Sequence, residues 1–190
     1  MKLHYMGKFN GDAETLPRGE HKPNAVKFKE FDSPRKQGLV CNALGVLIFA
    51  PLFVLYIFRC EEYNNNHLLY GAIIGLLLTI PHEFLHAICF KKDAYLYIFP
   101  KGGTLFVTGP EDMSRKRFIF LSLLPNIIFG FIPFIVFCIF PELSLFGAIG
   151  LACIPCGIGD YYNVFNSLKQ MPKGARTYLH GFNSYWYIPQ

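Results

Sequence analysis

From Gly38 to Phe58 the chain runs for 21 residues without a charged side chain. A helix of about 20 apolar residues crosses the hydrocarbon of a bilayer, and three further stretches have this character. Leu68–Phe90 is broken only by His82, Glu83 and His86. Phe118–Phe140 carries Pro125 and Pro133, and Leu143–Leu168 carries Pro155 and a single acid, Asp160. Prolines are tolerated in spans because neighbouring groups can satisfy the carbonyls they free. So much apolar chain cannot be buried in one soluble core of this size. Charged residues make up only 16% of the chain, against about 25% in soluble domains. The expected fold is therefore an all-α membrane protein with four transmembrane helices, at 38–58, 68–90, 118–140 and 143–168.

The basic residues orient these spans. Of 18 Lys and Arg, 17 lie in residues 1–37, in the connection 91–117 or in the tail 169–190. Only Arg59 lies on the other side. The positive-inside rule makes the rich side cytoplasmic and both termini with it, leaving Arg59–His67 and Pro141–Glu142 as short outer connections. The net charge of +5 is accounted for by this topology and gives no reason to expect nucleic acid as a partner. The partner expected is the lipid bilayer. Residues 1–37 are polar and lack the pattern of a cleavable leader. The six cysteines lie in or beside apolar stretches, which is not a secreted disulfide framework.

The cytoplasmic connection has structure of its own. Ala94–Phe99 and Thr104–Thr108 are β-rich and flank the turn Pro100-Lys-Gly-Gly103, so a membrane-associated β-hairpin is expected over 94–108. The aromatic tail Tyr178–Tyr187, with Trp186, reads as a membrane-interface belt.

An ionisable group at mid-bilayer costs roughly 2.5–3.5 kcal/mol on insertion scales, so a span keeps one for a reason. Cysteine and tyrosine aside, the four spans hold His82, Glu83, His86 and Asp160. His82-Glu-Phe-Leu-His86 places two imidazoles at i and i+4, on one helical face, where both can reach a single metal ion. Glu83, beside the first of them, is placed to act as general base on water. Pro81 is expected to kink the helix just before the motif. A catalytic zinc takes three protein ligands and keeps one position open. Asp160 is the remaining ionised candidate. It and His82 lie roughly 26 and 21 Å into spans that run in the same direction. Read alone, Asp160 is either that ligand or a helix-end acid. Asn163, at i+3, either orients the carboxylate, binds substrate or is solvated. Asn126 either donates to a substrate carbonyl or oxyanion or bridges helices. Cys153 and Cys156 have redox spacing, but their apolar surroundings offer nothing to lower a thiol pKa.

Together these residues resemble a known group. His82-Glu-x-x-His86 in a span, a hairpin after it and Gly159-Asp160-x-x-Asn163 in a later span are similar to site-2 protease type intramembrane metalloproteases. With Pro172-Lys-Gly-Ala-Arg176, His180-Gly181 and Tyr185-Trp186, the chain resembles more closely the zincin peptidase family of small bacterial membrane proteins, over roughly residues 35–190. The resemblance implies one zinc ion held by His82, His86 and Asp160, with Glu83 as base, in the bacterial cytoplasmic membrane. The aspartate here is followed by Tyr161, where site-2 proteases carry glycine.

The function expected is zinc-dependent hydrolysis of peptide bonds in membrane-associated or transmembrane substrates, near the cytoplasmic face. An unwound substrate segment needs backbone partners, and the hairpin is expected to offer a free edge facing the zinc. The alternative is a non-proteolytic metal-binding module that binds a partner protein. A structural metal has no use for a neighbouring general base, so Glu83 separates the two readings.

Overall fold

The computed structural model describes residues 1–31, 34–60 and 64–190. Parts of the expected polar segment 1–37 and of the outer connection Arg59–His67 lie outside these residues. In chain order, β1 (Lys2–Lys8) and β2 (Val26–Lys27) precede the helices α1 (Pro34–Arg59), α2 (Asn65–Leu77) and α3 (Thr79–Ile88). The strands β3 (Asp93–Phe99), β4 (Thr104–Thr108) and β5 (Met113–Ser114) follow. Next come α4 (Arg115–Asn126), a π-helical turn at Ile127–Phe131, α5 (Ile132–Ile139), α6 (Ser144–Cys156) and α7 (Ile158–Gln170). The chain closes with β6 (Arg176–His180) and β7 (Asn183–Tyr187).

It divides into two units. The helical unit comprises Phe31–His82 and Leu123–Tyr162; the sheet-bearing unit comprises Met1–Glu30, Glu83–Ser122 and Asn163–Gln190.

In the helical unit, small residues let helices approach closely. Gly71 and Gly75 on α2 face Ala148 and Ala152 on α6 so tightly that an added Cβ would come within 2.5 and 2.8 Å. Paired small residues four apart are how helices pack where the surrounding solvent is itself apolar. Tyr56, Phe134, Phe137, Leu151 and Ile154 close the core. Apolar residues such as Leu47, Phe58 and Leu76 are exposed. Pro81 cannot donate to the Leu77 carbonyl, and α2 gives way to α3 at Leu78.

Among the described residues, three helical stretches are long and apolar enough to span a membrane: Lys36–Arg59, Asn65–Ile88 and Arg115–Ile139. The expected fourth span is instead two helices, α6 and α7, bent by 52°. Pro155 and Gly157 account for the break, one lacking an N–H and the other a side chain. The expectation of an all-α, four-span fold is thus corrected twice. The second correction is that the described residues contain seven strands in two sheets.

The first sheet has the order β1-β3-β4. The hairpin segment pairs antiparallel from Tyr95↔Thr108 to Phe99↔Thr104, and Gly103 at φ 63° closes its turn. It does not stand alone, because β1 adds to β3 in parallel, from Lys2↔Asp93 onward. Phe9, Leu16 and Tyr97 pack one cluster on this sheet, and Ala87, Phe90, Ala94, Met113 and Leu121 pack another. The second sheet, β2-β7-β6-β5, is antiparallel throughout. It takes up the aromatic tail read as an interface belt. Tyr178 is buried and stacks on Tyr185 at 5.6 Å, and Trp186 packs against Phe28, Met171 and Ala175.

Candidate metal centre

The His-Glu-x-x-His segment is helical, within α3, so the i and i+4 imidazoles lie on one face. The ligand atoms of His82, Glu83 and His86 all lie within 4.8 Å of one another. His82 Nε2 is also 3.3 Å from Asp160 Oδ2. Two ligands about 2.1 Å from a tetrahedral zinc stand about 3.4 Å apart, so this separation suits a shared ion as well as a direct contact. The donor set, two imidazoles and a carboxylate with a second carboxylate beside them, has the chemistry of a catalytic zinc site. On geometry and chemistry the residues fit the metal.

Asp160 lies in the first turn of α7, immediately after the bend. Asn126 donates from Nδ2 to Asp160 Oδ2 at 2.7 Å. It can approach because residue 157 is glycine: a Cβ there would lie 1.7 Å from Asn126 Oδ1. The amide brought to Asp160 therefore comes from α4. Asn163 remains half-buried on α7, its carbonyl accepting from Ser167 Oγ at 2.9 Å.

His86 is buried at 7% exposure, and its Nδ1 is 2.9 Å from the Leu121 carbonyl. A carbonyl only accepts, so Nδ1 carries the proton in this contact. Glu83 Oε2 accepts from the Val107 backbone N–H at 2.9 Å. That N–H therefore points away from β3, along the outer edge of β4, which ends its sheet.

The end of α3 is braced by a pair, half-buried Arg117 and buried Glu111, that sequence reasoning missed. Arg117 donates to the Cys89 carbonyl from Nε and Nη2, at 3.1 and 2.6 Å, and to Glu111 Oε1 from Nη1. Glu111 Oε2 also accepts from the Lys91 and Lys92 N–H groups. Burial pushes the Glu111 carboxyl up, but Arg117 and the two amides outweigh it and hold it below the usual range. The signal in sequence was one acid next to another in a connection, which no periodicity distinguishes. Cys153 and Cys156 are free thiols.

A family model described as "Putative zincin peptidase" matches residues 75–176. That segment, just over half of the chain, contains every residue of the centre. No curated protein and no solved structure matches.

Proposed function

We propose that the chain, which belongs to the zincin peptidase family, is a membrane-embedded zinc peptidase that cleaves membrane-associated or transmembrane substrates. The observation that carries this reading is the approach of Asp160 to within 3.3 Å of His82. It supplies a third ligand to the His82–His86 pair and leaves Glu83 for chemistry.

A bound zinc supplies Lewis acidity and a water acidic enough to lose its proton near neutral pH. His82, His86 and Asp160 would hold the metal, and Asn126 holds Asp160. Glu83 takes the proton of the attacking water and returns it to the leaving amine. Its carboxylate sits at the outer edge of β4. An extended substrate that pairs with that edge carries its backbone past the base, and its own polar groups are satisfied as the bilayer requires. Three helices long and apolar enough to span a bilayer support a membrane location. The clustering of Lys and Arg supports a cytoplasmic location for both termini.

The test combines metal analysis of the purified protein with cleavage of transmembrane peptides in vesicles. Glu83→Gln should keep zinc and lose about 10²–10⁴-fold in cleavage, while His86→Ala should lose both. Near wild-type cleavage by Glu83→Gln would sink the mechanism. Zinc without any cleavage by the wild type would favour the non-proteolytic module.

A further inference from the structure

The Leu121 carbonyl that receives His86 Nδ1 belongs to a particular place in α4. In an α-helix, the carbonyl of residue 121 takes its hydrogen bond from the N–H of residue 125. Residue 125 is proline, inside the helix and fully buried. It has no N–H, and its ring crowds the carbonyl four residues back, turning it out of the helical ladder. The oxygen so released is the one that His86 uses.

We infer that Pro125 is a positioning residue for the metal centre: by withholding an N–H it frees the Leu121 carbonyl to fix the His86 tautomer, leaving Nε2 for the metal. The inference rests on the zinc reading above for its purpose, but not for its geometry. An imidazole has two neutral forms, and only the Nδ1–H form offers Nε2 to a metal on the face that His86 shares with His82. With alanine at 125 the helical bond to Leu121 returns, and the carbonyl is drawn back toward the ladder. Outer partners of this type are worth about 10–100-fold in metal affinity.

Three proteins should be compared: the wild type, Pro125→Ala, and a chain with lactic acid built in at position 125. The lactic acid chain has an ester there, so it lacks the N–H as proline does, but it also lacks the ring. Zinc affinity is read by competition with a chromophoric chelator. The His86 tautomer is read in metal-free protein by ¹⁵N NMR of the imidazole. Pro125→Ala should bind zinc at least about 10-fold more weakly and lose Nδ1–H population. The lactic acid chain should return both to near the wild-type values. Unchanged affinity and tautomer in Pro125→Ala would overturn the inference. So would equal losses in both variants, since ring packing would then be the cause. If the alanine chain does not fold, the lactic acid chain decides: Nδ1–H retained supports the inference, and Nδ1–H lost overturns it. If the wild type binds no zinc, the zinc reading fails, while the metal-free tautomer still tests the role of Pro125.

Discussion

Gly157→Ala should injure the metal centre without touching any ligand. The new Cβ would lie 1.7 Å from Asn126 Oδ1 and 2.5 Å from its Cγ, with the Tyr161 hydroxyl at 3.0 Å. Asn126 is fully buried, so its amide has little room to move without releasing Asp160. Overpacking of this kind costs about 1–3 kcal/mol. Losing a hydrogen bond to a carboxylate adds about 1.5–3 kcal/mol, and the stiffer unfolded chain returns about 0.4–1 kcal/mol. A net loss of about 1.5–5.5 kcal/mol follows, or roughly 3–20 °C in thermal unfolding for a chain of this size. Zinc affinity should fall about 10–100-fold, since Asp160 loses its orienting partner. Gly159→Ala is the control, two residues along the same bend, where a Cβ meets nothing within 4 Å; it should leave zinc affinity unchanged and raise stability by no more than about 1 kcal/mol. The assay is thermal unfolding in nanodiscs, with and without zinc, beside chelator competition. Asn126→Ala removes the clashing atom, so Gly157→Ala should cost little in that background, a coupling of about 1–3 kcal/mol. Identical behaviour of Gly157→Ala and Gly159→Ala, or full additivity with Asn126→Ala, would refute the reasoning.

Val107→Pro removes the N–H that reaches Glu83 and blunts the edge of β4; it should reduce cleavage about 10- to 100-fold with zinc content unchanged. Val107→Ala keeps the N–H and should cleave normally, and equal cleavage by the two would exclude the edge as a substrate partner. Arg117→Ala strands the buried Glu111 carboxylate and should destabilise the sheet-bearing unit by about 3 kcal/mol, measured by denaturant unfolding; a loss under about 0.5 kcal/mol would show that the brace is dispensable. Acid should act through the same brace. The Glu111 carboxyl lies below its ordinary 4.5 in the folded chain, and Asp112, beside Arg176 and Tyr187, lies below its ordinary 3.8 even though burial pushes it up. Their stabilisation is therefore complete above those ordinary values and is lost as pH falls through the lower folded ones. Glu30 works in the opposite sense, since burial raises its carboxyl, but it is one group against two. Unfolding free energy should fall below about pH 4.5, and Glu111→Gln should flatten that fall; stability rising between pH 5 and 3 would contradict the assignment.

His82, Glu83 and His86 were legible because a helix turns its fifth residue back over its first, so five letters of sequence specify their geometry. The apolar runs were legible for a similar reason, since hydropathy summed over about 20 residues needs no knowledge of what lies beside them. The resemblance and the residues together pointed to Asp160, but an orienting amide was only one of three open readings of Asn163, three residues away on the same helix. Asn126 meets it instead, because α4 and the α6–α7 bend converge at Gly157, a packing fact with no local signature. The hairpin strands of 94–108 were legible from their own composition, whereas the other strands were lost on similar grounds. Val26–Lys27 and Met113–Ser114 are too short to show alternation, and β1 pairs in parallel with residues about ninety positions away. Local periodicity thus determined which side chains share a face. Only tertiary structure decided which backbone groups meet them, the Val107 N–H at Glu83 and the Leu121 carbonyl at His86, because such groups are the same in every residue and acquire a role from where the fold leaves them unpaired.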